Sequence, residues 1–254
     1  VNVAAISKRL SAVEELVNDS IGRVELIERL DHIYDLERLM TKVVYGNANA
    51  RDLRALADTC EHLPGVKAHL SEYNSHNLSE IYQKMDPLCD IQQLIDQTIV
   101  QDPPLSVKEG NIILKGVDEQ IDALRDIIDH SKDYLMRLEA REREQTGIKN
   151  LKIGYNRVFG YYLEVTRSYY DLIPSDYIRK QTLANSERFI TEELKNVENE
   201  ILGAKDRVLR LEEGIFSEVR DCLASMLKKV QETAAAVAQV DVLASFANVA
   251  MEND

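Results

Sequence analysis

Apolar residues recur every three or four positions along most of the chain, which is the spacing of one face of an α-helix. Polar clusters interrupt this pattern in the first hundred residues, so we expect several short helices there. Asn18-Asp19-Ser20 ends one helix and caps the next, Asn49 caps another, and Pro64 lies in the first turn of a further helix. Asp86-Pro87 then opens a helix that Asp102-Pro103-Pro104 ends.

Two longer apolar seams follow, each with the alternating spacing of four and three residues that is typical of paired helices. The first seam predicts a helix over 117–146, roughly 45 Å long at ~1.5 Å per residue. Because the second seam leads back along the chain, we expect the two helices to pack antiparallel. The first seam is Val117, Ile121, Leu124, Ile128, Ser131, Leu135 and Leu138. The second is Leu194, Val197, Ile201, Ala204, Val208, Leu211 and Ile215, continued by Val219, Cys222 and Met226.

Between the seams the pattern changes to short alternating runs that are typical of strands. Residues 152–156 and 161–166 flank a turn at 157–160, and residues 179–183 and 188–190 flank a turn at 184–186. These runs predict a small antiparallel sheet held at the tip of a two-helix arm. A further short loop or hairpin is expected over 105–116, with Glu109-Gly110-Asn111 at its tip.

The charge is distributed unevenly between these parts. The 254 residues carry a formal net charge of −13, which for an even distribution would argue against a nucleic-acid partner. Residues 149–190, however, hold seven basic and four acidic residues, so this segment carries +3 and the rest of the chain −16. The same segment contains six of the 11 Tyr residues. A basic, tyrosine-rich sheet on an acidic chain is a candidate phosphate-contacting patch, although the tyrosines could equally pack the sheet.

The side chains best suited to reach phosphate oxygens lie in the second pair of strands. The first choices are Arg179, Lys180, Gln181, Thr182, Asn185 and Arg188. The second choices are Asn156 and Arg157, at the turn of the first pair.

Signals for other classes of protein are missing from the sequence. Cys60, Cys89 and Cys222 are far apart and form no CxxC, so we expect buried, unreactive thiols in a reducing cytoplasm. The weakly polar stretch 233–250 contains Gln and Asp and is interpreted as a buried helix of a soluble domain rather than a membrane span. No nucleotide-binding, zinc-protease or serine-hydrolase motif occurs, and the five His are scattered, so we predict no catalytic, cofactor or metal site.

Several longer runs resemble one known family, the bacterial DNA mismatch repair proteins called MutS. The clamp of that family is similar to Leu151-Lys152-Ile153-Gly154-Tyr155-Asn156, to residues 159–165 and to residues 177–189. Residues 9–16, 34–39, 46–53 and 238–243 resemble other stretches of the same proteins. The resemblance extends over essentially the whole chain.

The resemblance implies a mainly α fold, in which a helical core with two long antiparallel lever helices carries a small antiparallel β-sheet clamp at the tip. Residues 1–147 would form the first part of the core and lever, 148–191 the clamp, and 192–254 the lever helix that returns toward an ATPase domain. Members of the family are homodimers that encircle mismatched duplex DNA, and their clamps touch its backbone. The full-length proteins use ATP and Mg, and a cytoplasmic location with nucleoid association on DNA is implied.

The chain departs from the family pattern at both ends. No domain with the family's Phe-x-Glu wedge precedes Val1, and no phosphate-binding loop follows the last helix. The first residue is not Met, which indicates a piece of a larger protein. We therefore expect a non-enzymatic lever and clamp without a cofactor of its own.

Two other classes of function are open at this point. A structural helical scaffold whose β tip docks a protein partner predicts no salt-dependent binding to duplex DNA. An independent enzyme predicts nucleotide turnover by the purified chain.

Overall fold

The computed structural model describes residues 2–253 as nine α-helices, one four-stranded antiparallel sheet and two short 3-10 helices, at Val107–Glu109 and Arg167–Leu172. The helices are α1 (Val3–Asn18), α2 (Ser20–Leu30), α3 (Leu36–Val44), α4 (Ala50–Leu70), α5 (His76–Lys84), α6 (Cys89–Thr98), α7 (Glu119–Thr146), α8 (Glu192–Ser225) and α9 (Leu227–Glu252). The strands are β1 (Lys152–Asn156), β2 (Gly160–Thr166), β3 (Ile178–Thr182) and β4 (Ser186–Ile190). The predicted mainly α fold with a small sheet is confirmed.

The chain divides into two compact units. The helical unit comprises residues 1–117 and 212–254, and the sheet unit comprises residues 118–211. The sheet unit therefore includes α7 and the first part of α8 in addition to the predicted clamp segment 148–191.

The core of the helical unit forms where α1, α2, α4 and α5 pack around α9. Leu16, Leu26, Leu70 and Val240 are fully buried in this cluster. The predicted caps are also present, since Asp19 accepts the Gly22 N–H at 3.0 Å and begins α2. Local capping and an apolar face thus explain why these short segments are helical.

Helix α9 is long and apolar enough, by length and composition alone, to cross a membrane. One face of it nevertheless lies in the centre of the helical unit, where Val230, Ala236, Val240 and Ala247 are buried. This packing agrees with a core helix of a helical domain.

The prediction of a helix start at Pro64 is wrong. Pro64 lies inside α4, a single helix that begins at a capping box formed by Asn49 and Asp52. An internal proline costs a helix about 3 kcal/mol, but Leu63 and Val66 beside it are fully buried. Packing of this face outweighs the backbone penalty, so the helix continues through the proline.

Residues 105–116, for which a short loop or hairpin is expected, form a loop in the structure. Ser106 and Glu109 form a capping box around the 3-10 helix Val107–Glu109. The apolar run behind it forms a single bridge, in which Ile113 pairs with Ile99. Of the two expected forms, the structure therefore has the loop, which local capping stabilises.

The expectation of three buried thiols holds only for Cys60. Burial raises the pKa of the Cys60 thiol to about 12. Cys89 and Cys222 are exposed. After Val208 the predicted seam of α8 continues through Leu211, Ile215 and Cys222. The residues that are buried in the structure are instead Glu212, Phe216, Val219 and Leu223, so Cys222 lies outside the buried face. A straight helix with 3.6 residues per turn drifts away from a strict 3.5-residue seam, and this drift moves the stripe by one position.

The Glu15 carboxylate of α1 caps the start of α5. It accepts the Asn74 N–H at 2.7 Å and the Ser75 N–H at 2.8 Å. Burial raises the pKa of this carboxyl, but the hydrogen bonds from Asn74 and Ser75 outweigh that effect and hold the pKa below its ordinary value of 4.5. Because the folded-state pKa is depressed, the stabilisation is present above pH 4.5 and is lost as the pH falls through the folded-state pKa.

Replacing Glu15 by Gln should therefore lower the free energy of unfolding by about 1 kcal/mol at pH 7, the typical cost of removing a cap. The difference from the unaltered chain should shrink when the pH is lowered below 4.5. Urea unfolding at pH 7 and in acid measures both effects. Glu14→Gln is the matched control, since Glu14 is exposed on the same helix, and a loss as large as that of Glu15→Gln would contradict the cap.

Candidate nucleic-acid interface

The sheet of the sheet unit has the strand order β1-β2-β4-β3, with every neighbouring pair antiparallel. One face packs on the helices, where Leu163, Val165 and Phe189 share a buried cluster with Leu194 of α8 and Leu138 of α7. The end of α7 and the start of α8 both belong to this cluster, so both helices lie against the sheet. Alternation of side chains along each strand places polar residues on the opposite face.

Two side chains near the end of α7 form hydrogen bonds with the backbone of β1 and of the residue before it. Arg143 Nε donates to the Leu151 carbonyl at 2.6 Å, and the Glu139 carboxylate accepts the Ile153 N–H at 2.7 Å. Glu139 lies one helical turn before Arg143, but its partner Ile153 lies two residues after Leu151, the partner of Arg143. Helix α7 therefore runs antiparallel to β1, and the β1–β2 turn points back along the helices.

A third anchor comes from Tyr177, whose hydroxyl donates to the Glu142 carboxylate at 2.7 Å. Burial raises the pKa of Tyr177, and the hydrogen bond to Glu142 raises it further. The phenol therefore stays protonated at neutral pH and acts as a permanent donor. It attaches the segment before β3 to α7.

The strands end, on the side away from the β1–β2 turn, in a region that we call the distal end. It comprises residues 148–150, 166–168 and 183–185. Backbone bonds join these segments, because Arg167 N–H donates to the Asn185 carbonyl at 3.0 Å and Leu183 N–H donates to the Ser186 carbonyl at 2.8 Å. Asn150 donates to the Thr166 hydroxyl and attaches the first segment to the second. Lys149, Arg167 and Asn185 are exposed at this end. The distal end therefore carries two exposed cations beside an exposed amide.

The edge strand β3 supplies further exposed polar groups. Arg179 is 63% exposed but pairs through Nε with the buried Glu187 carboxylate at 3.2 Å. Lys180 is exposed at a bulge in the β3–β4 register, and Thr182 is exposed where the strand ends. No ion pair to Lys180 occurs among residues 2–253. Lys180 is accordingly better placed to pair with an external anion than Arg179.

Two other first choices, Gln181 and Arg188, are bonded to each other. Arg188 Nη1 donates to Gln181 Oε1 at 2.9 Å, and Arg188 Nε pairs with the Glu164 carboxylate at 3.0 Å. The guanidinium also lies 4.2 Å from the centre of the Tyr162 ring. The Arg188 side chain is only 19% exposed. Its charge is already matched within the sheet.

The second choices lie at the other end of the sheet. Asn156 accepts the Val158 N–H at 2.8 Å and shapes the β1–β2 turn, while Arg157 is exposed in it. Gly160 closes this turn with a φ of +75°, and a side chain there would clash with the Glu198 carboxylate of α8. The seven residues of β2 separate Arg157 from the distal end by roughly 20 Å. The structure therefore does not bring Asn156 and Arg157 together with Asn185.

Carboxylates surround the groove between α7 and α8, a cavity of about 860 Å³. Glu142, Asp176, Glu192, Glu193 and Glu200 line it. Hydrogen bonds from Tyr134 and Arg141 hold the pKa of Glu193 below its ordinary value, so this carboxylate stays ionised at neutral pH. The helices beside the sheet therefore repel phosphate, in contrast to the distal end.

Sequence reasoning ranked residues by charge and reach, and it did not single out Lys149, Lys152 and Arg167. All three are exposed; Arg167 is bonded to Asn185 at the distal end, and Lys149 precedes Asn150, which is bonded to Thr166. The signal that finds them is the antiparallel order of the strands. In such a sheet the start of β1, the end of β2 and the β3–β4 turn lie at the same end of the strands, which is the distal end.

The fold defines a class, namely mainly helical proteins with a small antiparallel sheet inserted between two long helices. A family model described as MutS family domain IV matches residues 116–207. The chain is 50% identical, over all of its 254 residues, to the DNA mismatch repair protein MutS of Caldicellulosiruptor bescii and covers 29% of that protein. It is 51% identical, over 98% of its length, to the DNA mismatch repair protein MutS of Lachnoclostridium phytofermentans and covers 27% of it.

The chain therefore belongs to the MutS family. It spans less than a third of the length of these curated relatives.

Proposed function

We propose that this chain is the part of a DNA mismatch repair protein that holds the duplex by its phosphate backbone. The observation that carries the proposal is the set of exposed, unneutralised cations at the distal end and on β3, on a chain that is otherwise strongly acidic. Cations that reach phosphates bind any sequence, which suits a clamp that must move along DNA. The names of the relatives agree with this role.

The proposed DNA contacts are exposed side chains of the distal end and of β3, which together we call the exposed edge. Lys180, Arg179, Thr182 and Asn185 are retained from the predicted set, and Lys149 and Arg167 are added to it. Arg188 and Gln181 support this edge from within the sheet. Asn156 and Arg157, which lie beside acidic α8, would contact DNA only if the duplex extended along the helices.

The remaining parts of the proposal concern the longer protein. Within it the chain would act as a lever between DNA and an ATPase domain, in a cytoplasmic homodimer that associates with the nucleoid on DNA. The 254 residues contain no phosphate-binding loop, so the proposal assigns ATP and Mg to another part of the longer protein. Within residues 2–253 no three His, Cys, Asp or Glu side chains are grouped to hold a metal. We accordingly assign this chain no catalytic step.

A salt titration of duplex binding tests the proposal. The logarithm of the association constant should fall linearly with the logarithm of the salt concentration, by roughly 0.9 for each phosphate neutralised. The double change Arg179→Ala and Lys180→Ala should lower this slope by one to two such increments, since Arg179 is already partly neutralised by Glu187. Fluorescence anisotropy with a mixed-sequence duplex measures the slope.

The double change Lys205→Ala and Lys228→Ala is the control with the same loss of charge. Both lysines are exposed and distant in sequence from the sheet. The slope of this control should equal that of the unaltered chain. Equal slopes for all three proteins would contradict the assignment of the site.

One observation favours the alternative of a protein-docking tip. At the β1–β2 turn Val158 is 81% exposed and Phe159 41% exposed, and Tyr155 beside them is 49% exposed. An exposed apolar turn is a typical anchor for a protein partner. This function would show in the titration as duplex binding that is absent, or that does not depend on salt.

A further inference from the structure

We infer that Arg188 is a positioning residue, which fixes the bulge that presents Lys180 to DNA, and that it is not itself a phosphate ligand. The inference rests on the proposed function. Its starting point is that the Arg188 guanidinium is held on three sides by the protein. Glu164 lies at 3.0 Å, Gln181 at 2.9 Å and the Tyr162 ring at 4.2 Å. Two of the five N–H donors of Arg188 are used by Glu164 and Gln181, and the side chain is only 19% exposed, so a phosphate has poor access to the remaining donors.

The partners of Arg188 come from the two strands that flank β4, Glu164 and Tyr162 from β2 and Gln181 from β3, so the network crosses the sheet. The register places Glu164 of β2 opposite Arg188 of β4, and Gln181 of β3 opposite Arg188 on the other side. Arg188 therefore joins the central strand β2 to the edge strand β3 through one side chain. The Glu164 carboxylate is fixed in turn by the Ser186 hydroxyl at 3.3 Å.

The Tyr162 ring lies close to Gly154, the glycine opposite it on β1. Gly154 pairs with Tyr162, and a Cβ at Gly154 would lie 2.7 Å from the tyrosine hydroxyl. That distance is too short for a real contact, so a side chain at this position would lift the ring. Gly154 thus leaves the space in which the ring can meet the Arg188 guanidinium.

The bulge in β3 gives this network a functional consequence. Arg179 pairs with Phe189 and Gln181 pairs with the next residue, Arg188, which leaves Lys180 as the extra residue between two regular pairs. A bulge redirects the side chain of its extra residue. The bond from Arg188 to Gln181 fixes the register immediately after the bulge. Without that bond, β3 could pair in another register and turn Lys180 toward a different face.

The change Gln181→Met tests the inference with no change of charge. A neutral side chain that touches a phosphate directly contributes affinity but releases no counterion, so its removal leaves the salt slope unchanged. If Gln181 and Arg188 together position Lys180, Gln181→Met should instead lower the slope by about 0.9, as Lys180→Ala does. Adding Gln181→Met to Lys180→Ala should lower it no further.

Arg188→Lys provides the second variant, because lysine keeps the charge but lacks the planar fork that reaches Glu164 and Gln181 together. Positioning predicts that Arg188→Lys has the reduced slope of Lys180→Ala. NMR cross-strand signals between residues 181 and 188, recorded without DNA, should disappear in both variants while the rest of the sheet keeps its pattern.

The outcomes distinguish the positioning role from the proposed function. If Arg188→Lys and Gln181→Met both keep the unaltered slope, or if either adds to the effect of Lys180→Ala, the positioning role is overturned and the proposed function stands. If the unaltered chain binds duplex without any salt dependence, the proposed function fails, and the positioning role fails with it.

Discussion

Reversing three charges at the exposed edge should reduce the affinity for duplex DNA on the order of a hundredfold at moderate salt. The variant carries Lys149→Glu, Arg167→Glu and Lys180→Glu. The physical reason is that each change removes one cation from a phosphate and adds one repulsion. The salt slope should fall by about 2.7, since each phosphate that is no longer neutralised accounts for roughly 0.9. Anisotropy titrations at several salt concentrations give both quantities.

A control with the same change in net charge distinguishes a site from a general field. Lys108, Lys205 and Lys228 are exposed and do not belong to the sheet. Reversing all three should weaken binding only slightly, through long-range repulsion that salt screens. If the control and the edge variant lose equal affinity, binding is a property of net charge and the edge is not the site.

Replacing Leu163 by Ala should destabilise the sheet unit by about 3 kcal/mol. Leu163 is fully buried in the cluster that joins β2, β4, α7 and α8, and its truncation leaves a cavity that the rigid strands cannot close. Urea unfolding followed by hydrogen exchange measures both the size of the effect and its location. The amides of the sheet should exchange faster, while those of the buried face of α9 should keep their protection.

Val158→Ala is the matched control for this substitution. Val158 is 81% exposed at the β1–β2 turn of the same sheet, so the change should alter the free energy of unfolding by less than about 0.5 kcal/mol. If Leu163→Ala weakens α9 as much as it weakens the sheet, the two compact units unfold as one. That result would contradict an independent core for the sheet.

The sequence predicts the elements of this fold better than the contacts between them. Period-two alternation and turn residues place the strands of residues 152–166 nearly where the structure has them. The helical seam over 117–146 likewise becomes the buried face of α7, with Ile121, Leu124 and Leu138 in it. Such patterns succeed because burial of one face dictates the residue types along a strand or helix.

The contacts at the candidate site join positions that are far apart in sequence. The pairing of Arg188 with Glu164 joins residues on strands that the 3-10 helix and β3 separate. Charge and reach rank Arg188 among the phosphate ligands, but they do not reveal that an acidic residue lies opposite it in the register. The continuation of α4 through Pro64 escapes a local pattern for a related reason, since tertiary burial outweighs a local breaker.

The location of the candidate interface depends on the direction in which the strands run along the helices, as well as on which strands pair. Knowing two hairpins does not determine which turn points back along the helices, and the side-chain bonds from Arg143 and Glu139 to β1 settle that point. They place the turn of Arg157 beside Glu198 and leave Lys149 and Arg167 at the other edge. Antiparallel strand order therefore adds Lys149 and Arg167 to the proposed contacts, which a ranking by charge and reach did not include.

The central claim, that duplex DNA contacts the distal end and β3, is tested most directly by protection of lysines from chemical modification. The chain is methylated with and without duplex DNA, and each lysine is quantified by mass spectrometry. We predict that Lys149 and Lys180 are protected by DNA, and that the exposed Lys205 and Lys228 are modified equally in both states. Protection of Lys205 or Lys228, with Lys149 and Lys180 unchanged in the DNA-bound chain, would contradict the account.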